Sequence, residues 1–191
     1  MPHLLPLRLA SRSPGLIHPR LDLLRSAAAD LGHPQAAIPT FRIAGTNGKG
    51  STAAMLEAVF AAHGLATGLY TSPHLVRVEE RIRVRGRDVD RSTLEAALDL
   101  LERYPELSFF ETLTLAAWLI FRDAHLDAAI LEVGLGGRWD ATSIAPCAVA
   151  GLTNVGTDHG RWLGTDRHAI AREKAAALEG AEVAVAGPGV E

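Results

Sequence analysis

Two rhythms of apolar residues alternate along this chain, short unbroken runs and stripes at helical spacing, with glycines and prolines between them. Leu21, Leu24, Ala28 and Leu31 share one face of a helix predicted over residues 20–31, which begins after Pro19 and stops at Gly32 and Pro34. Residues 41–44 read as a strand, and a glycine-rich run follows over 45–51. The next helix is predicted over 52–63, striped by Met55, Leu56, Val59 and Phe60 and ended by Gly64. A second strand is expected over 65–70. Residues 81–85 alternate arginine with Ile82 and Val84, the pattern of a half-exposed hairpin arm standing off the main sheet.

Ser92 and Glu95 form a capping-box pattern for a helix marked by Leu94, Leu98 and Leu101 and ending near Pro105. A helix over 111–125 is apolar nearly all round and therefore buried. Residues 128–131 predict a strand running into Glu132, Val133 and a second glycine loop at 134–137. Strands are also predicted over 148–152 and 182–186, with a helix over 166–178, closed by Gly180, between them. Apolar strands alternating with helices predict an α/β fold, a mostly parallel sheet with helices on both faces. The chain carries no internal repeat and no low-complexity tract.

Composition sharpens this picture mainly by exclusion. The 191 residues are 48% hydrophobic, enough for one sizeable core. Lys plus Arg is 19 and Asp plus Glu 22, a net charge of −3, so bulk electrostatics give no drive toward nucleic acid or anionic lipid. The longest strongly apolar run, 115–121, is seven residues, whereas a membrane span needs about 20. Cys147, the only cysteine, has apolar flanks and reads as a buried, inert thiol in a reducing compartment, so a cytoplasmic location is expected. Arg8, Arg12 and Arg20 without a preceding acid faintly suggest a transit segment, but Pro2, Pro6 and Pro14 favour an ordinary N-terminal arm. The sequence ends at Glu191, five residues beyond Ala186 and directly after a predicted core strand, so a single incomplete domain over 1–191 is expected.

Candidate chemistry begins at Gly45-Thr46-Asn47-Gly48-Lys49-Gly50-Ser51-Thr52, between a predicted strand and a predicted helix as phosphate-binding loops are. Glycines let backbone N–H groups turn toward a phosphate, and the helix N-terminus adds about half a positive charge. Lys49 would reach the terminal phosphates and the Ser51 hydroxyl a Mg²⁺ ion. The spacing is a variant of the common form, because Ile43 stands six residues before the lysine and Gly50 separates it from the hydroxyl. A plain glycine turn with a solvated lysine is the alternative, and the flanking strand and helix weigh against it.

A second constellation follows the strands: Ser72, Glu132 and the pair Asp158-His159. In an open parallel sheet such positions converge with the phosphate loop at the carboxyl edge, where hydroxyl, carboxylate and imidazole could share divalent ions. Singly, Glu132 reads as a cap partner and His159 as a surface histidine; co-location with the loop reverses both. Residues 134–140, with Arg138 and Asp140, are either a mobile cover for phosphate or substrate or a tight connection. The series Arg77, Arg81, Arg83, Arg85 and Arg87 could attract an anion, although the solvated face of a strand is the more ordinary reading. Trp118, Phe121 and Phe110 read as core.

In this order the loop at 45–51, Tyr70-Thr71-Ser72-Pro73-His74-Leu75, Glu80-Arg81-Ile82, residues 132–138 and Asp158-His159 resemble the folylpolyglutamate synthase and dihydrofolate synthase family, a branch of the Mur ligases. The resemblance implies a phosphate-loop ATPase domain of a ligase that joins a pteroate or folate carboxylate to L-glutamate through an acyl phosphate. ATP, two Mg²⁺ ions, the pteroate or folate and L-glutamate are the implied cofactor, metals and substrates. By resemblance Lys49 and Ser51 hold phosphates and one Mg²⁺, Ser72 and Glu132 ligate metal, and His159 ligates a second ion. Lys174 matches the lysine that the family carbamylates, so Lys49, His159 and Lys174 are the implied catalytic set. Ser72, Pro73 and His74, with Arg81, Arg138 and Asp140, are the implied substrate-side residues. Two departures stand out: Ser143 replaces the family's usual Asn, and residues 175–179 are Ala-Ala-Ala-Leu-Glu. Family members are much longer, so a C-terminal glutamate-binding domain is expected to be missing here or supplied by a partner chain. The rival readings are a nucleotide-binding module without turnover and, weakened by Gly50, a small-molecule kinase.

Overall fold

The computed structural model of the protein describes residues 5–12, 21–156, 166–187 and 190. Asp158 and His159 lie outside the described residues. Seven strands are present among the described residues: β1 (Thr40–Ala44), β2 (Thr67–Tyr70), β3 (Ile82–Val84), β4 (Arg87–Asp88), β5 (Ala128–Glu132), β6 (Cys147–Leu152) and β7 (Ala181–Ala186). They form one sheet in the order β4-β3-β2-β5-β1-β6-β7. The five strands from β2 to β7 in that order run parallel, while β3 and β4 add an antiparallel edge. The arm over 81–85 therefore continues the main sheet instead of standing off it, because Ile82 pairs with Tyr70 and is fully buried there.

Register divides the sheet into two faces. Ile43, Leu69 and Ile130 point to one side, where α3 (Lys49–Ala62) buries Ala53 against them and adds Leu56 and Phe60. Phe41 and Phe60 meet edge to face at 4.9 Å. The stripe expected on this helix is displaced: Met55 and Val59 are 62% and 52% exposed, and Ala53 and Glu57 are its buried residues. A helix apolar nearly all round has no single face for its sequence to announce. On the opposite side α2 (Asp22–Asp30), α4 (Arg91–Leu100) and α5 (Phe109–Asp123) pack Leu24, Leu98, Trp118 and Phe121 against Tyr70 and Leu131. A short turn of helix, α1 (Leu7–Ala10), holds Leu9 in the same core.

Two helix starts differ from the sequence expectation. Asp90, not Ser92, caps α4 by accepting from the Thr93 N–H at 2.7 Å. The true capping box opens α5, where Ser108 and Glu111 exchange bonds with each other's backbone N–H at 3.3 and 2.8 Å. The last helix, α6 (Arg167–Ala175), continues into a 3-10 turn at Ala176–Leu178. The strand after it was expected in the core, yet β7 is an edge strand with Val183 and Val185 about half exposed, since no described element packs on them. No helix among the described residues is long and apolar enough to cross a membrane.

Candidate functional site

The carboxyl ends of β1, β2, β5 and β6 bring several of the candidate residues together, with β1 central among the parallel strands. Gly45 leaves β1 at φ +140°, and a Cβ on it would lie 2.0 Å from Thr153 Oγ1, so only glycine fits. Gly48, at φ +80°, turns the chain into α3. Lys49 bends back over the loop, its Nζ donating to Thr46 O at 3.2 Å, and the Ser51 hydroxyl is exposed on the first turn of α3. The loop and the helix N-terminus thus have the backbone geometry of an anion cradle, as the strand–glycine–helix order leads one to expect.

Glu132, the last residue of β5, pairs in register with Ile43 and so faces α3. Its carboxylate accepts the Ser72 N–H at 2.8 Å and lies 3.4 Å from where a Gly50 Cβ would stand. Burial pushes its pKa above the ordinary carboxylate range, while the Ser72 N–H, the Lys49 charge and the Gly50 N–H pull it back. Loop glycine, hydroxyl, lysine and carboxylate therefore share one small region, and Ser72, two residues past β2, reaches it through its N–H to Glu132.

Lys174 on α6 is buried beneath the loop, its Nζ donating to Gly45 O at 3.2 Å. Arg81 is also buried; its Nε donates to His74 Nδ1 at 2.9 Å and its guanidinium lies 5.5 Å over the Phe109 ring. Because Nδ1 accepts from Arg81, which has no acceptor of its own, the ring's proton sits on Nε2; burial and the Arg81 charge lower the His74 pKa in the same sense. Pro73 is exposed beside it. Of the arginine series Arg81 alone is buried, whereas Arg83 pairs with Glu57 and Arg77 with Asp88.

The remaining substrate-side candidates hold the loop after β5. Asp140 is buried, and its two oxygens accept from the N–H groups of Gly134, Leu135 and Thr142 and from the Thr142 hydroxyl at 2.6–3.0 Å. Arg138 points outward to Glu173 at 3.8 Å and Glu179 at 3.3 Å, tying the loop to α6 and its 3-10 turn. Ser143 donates to Gly137 O at 2.6 Å. This is a pinned connection, one of the two readings its sequence left open.

Three contributors escape sequence reasoning. Thr153 and Asn154, directly after β6, clasp the phosphate loop: Asn154 Oδ1 accepts the Asn47 N–H at 3.0 Å, and Thr153 Oγ1 donates to Asn47 O at 2.7 Å. Their position after a strand, the rule that selected Ser72 and Glu132, was the available signal. Arg42, buried on β1, donates to Ala177 O at 3.0 Å and Ala145 O at 2.8 Å, joining the end of α6 to the loop before β6. Nothing in a lone arginine within a short strand announces that. Among the described residues no group of three or more His, Cys, Asp or Glu converges as a metal site of its own.

A parallel sheet with a glycine loop at its central strand and a helix behind it defines a phosphate-loop α/β domain. More particularly, the chain belongs to the Mur ligase middle domain family, whose model matches residues 43–186. It is similar to the dihydrofolate synthase/folylpolyglutamate synthase of Escherichia coli K12, 44% identical over 170 residues that cover 87% of this chain and 40% of that protein. The Haemophilus influenzae protein of the same name is 43% identical over 159 residues, covering 81% of this chain and 36% of its own. Among solved structures, E. coli FolC in complex with DHPP and ADP superposes with a TM-score of 0.83 at 43% identity, covering 88% of this chain and 42% of that one. The Yersinia pestis bifunctional enzyme complexed with AMPPNP and Mn ion gives a TM-score of 0.86 at 40% identity, covering 94% and 45%. The chain spans about two fifths of the length of these curated relatives.

Proposed function

We propose that this chain is the ATP-binding portion of a ligase that joins the carboxylate of a dihydropteroate or folate to the amine of L-glutamate. The observation that carries the reading is the cradle at Gly45–Ser51 facing Glu132, in a chain similar to relatives whose structures hold ADP or AMPPNP. Gly48, Lys49 and Ser51 would take the phosphates through N–H groups, the lysine ammonium and the hydroxyl. Ser51, Ser72 and Glu132 offer hard oxygen donors of the kind Mg²⁺ prefers, and the sparse protein set leaves room for phosphate oxygens and waters. A bound divalent ion would neutralise charge on the phosphate oxygens during transfer.

A carboxylate does not acylate an amine at neutral pH until a leaving group is attached, and phosphorylation by ATP supplies one. In this reading the folate-side carboxylate lies between Lys49 and the Ser72–Arg81 segment, where Arg81 and neutral His74 present donors. Lys174 is the residue we assign to carbamylation: its neutral amine would add carbon dioxide and release a proton, giving an anionic oxygen donor under the loop. His159 is assigned to a second ion by resemblance alone. Glutamate recognition is assigned to the length of the relatives that this chain does not span.

A second reading, a nucleotide-binding module that turns nothing over alone, rests on the same cradle at Gly45–Ser51. Calorimetric titration with Mg²⁺ and a non-hydrolysable ATP analogue, beside Lys49→Ala, tests both. Saturable binding that the variant loses while keeping its melting temperature is expected. Unchanged affinity in the variant would sink the phosphate-loop assignment, and adding pteroate, L-glutamate and ATP then separates ligase from module by release of ADP.

A further inference from the structure

The clasp behind the phosphate loop decides which of its N–H groups an anion can reach. Asn154 meets Asn47 with both ends of its carboxamide: Oδ1 accepts the Asn47 N–H at 3.0 Å and Nδ2 donates to Asn47 O at 3.2 Å. Its own backbone carbonyl accepts the Thr46 N–H at 3.1 Å. The single Thr153 hydroxyl proton also goes to Asn47 O, at 2.7 Å, with Ala44 O a longer second acceptor at 3.2 Å. The first two N–H groups after Gly45 are therefore committed to protein acceptors. By contrast, among the described residues the N–H groups of Gly48, Lys49 and Ser51 meet no protein acceptor, as the first turn of a helix leaves them.

We propose that Asn154 is a positioning residue of the phosphate site. It withdraws Thr46 and Asn47 from anion binding and locks the loop so that Gly48, Lys49 and Ser51 present their N–H groups to a single phosphate group. The inference rests on the nucleotide reading above and sharpens it to a division of labour within the loop. Only a carboxamide carries an acceptor and a donor side by side, as the two polar groups of Asn47 require. An aspartate there would turn a second oxygen against Asn47 O and set a negative charge beside the anion. An alanine would release the Asn47 N–H to water or ligand and let the loop sample other shapes.

The experiment is a titration of the isotope-labelled chain with Mg²⁺ and a non-hydrolysable ATP analogue, and separately with inorganic triphosphate, followed by backbone amide spectra. In the wild type the Gly48, Lys49 and Ser51 amides are expected to shift and those of Thr46 and Asn47 to stay nearly still. Asn154→Ala should weaken binding about tenfold, the loss of roughly one net hydrogen-bond pair. In that variant the Asn47 amide should exchange faster with solvent and, as a purely structural role would not produce, begin to respond to ligand. Asn154→Asp should bind more weakly still, although it keeps the acceptor for Asn47. An Asn47 amide that shifts as far as Gly48 in the wild type overturns the proposal. So does Asn154→Ala binding within about twofold of wild type while Lys49→Ala binds nothing, since the nucleotide reading then survives and the role of Asn154 does not. A folded wild type that binds neither probe overturns both together.

Discussion

At Glu132 two demands oppose each other. A carboxylate aimed at a cation must be ionised, yet burial raises its pKa above the ordinary carboxylate range against the pull of the Ser72 N–H and the Lys49 charge. A group shifted that way contributes stability that is complete below the ordinary carboxylate pKa and is lost as pH rises through the raised value. Glu132→Gln should therefore melt higher than the wild type at pH 8, with the gap closing as pH falls toward the ordinary carboxylate range. The same substitution should remove the Mg²⁺-dependent part of ATP affinity and spare the metal-free part. Thermal melts across that range check the first effect, and a gap independent of pH would remove the electrostatic explanation. Gain in stability with loss of binding is what a residue kept for chemistry shows.

At the scale of elements, the helix starts carry the clearest contrast between reading a sequence and seeing its fold. Ser92-Thr93-Leu94-Glu95 and Ser108-Phe109-Phe110-Glu111 have the same capping spacing, and only the second is used. Asp90 already caps α4, which leaves Ser92 inside the helix, donating to the cap side chain at 2.7 Å. Ser108→Ala should cost about 1 kcal/mol in chemical denaturation, and Ser92→Ala much less. Equal losses would return the cap to Ser92. The position of α5 matters beyond its own stability, because Phe109 supports the Arg81 guanidinium and Phe110 packs 5.8 Å from the Tyr70 ring. A local cap thus begins the helix on which Phe109 meets Arg81.

At the scale of the whole sheet, the described residues cover it unevenly. Parallel register continues the α3 side of the sheet from Phe41 through Val149 to Val183, and from Ile43 through Gly151 to Val185. Val183 and Val185 are 53% and 52% exposed on β7, an edge strand. Exposed β-branched residues on an edge are a template for pairing with another chain. The chain should therefore self-associate as its concentration rises, and Val185→Lys should reduce that without disturbing nucleotide binding, since the residue is half exposed on the edge strand, two strands away from β1. Sedimentation velocity over a concentration series decides it; a wild type that stays monomeric throughout would mean that the face is harmless as it stands.

The sequence by itself determined the mostly parallel α/β sheet and the position of the glycine loop, because both are written in local pattern: apolar runs, helical spacing, and glycines between a strand and a helix. It also pointed to Ser72 and Glu132 meeting beside that loop, since both stand at the carboxyl ends of parallel strands and such ends converge. The tertiary structure alone decided that the arginine-rich arm joins the sheet, that Met55 and Val59 face outward, and that Asp140 and Arg138 serve the loop that carries them. It alone decided, too, that Asn154 holds Asn47 from 107 residues away. Those outcomes rest on which surfaces meet across long separations, and neither spacing nor propensity encodes that when the partners are single residues competing for the same backbone groups.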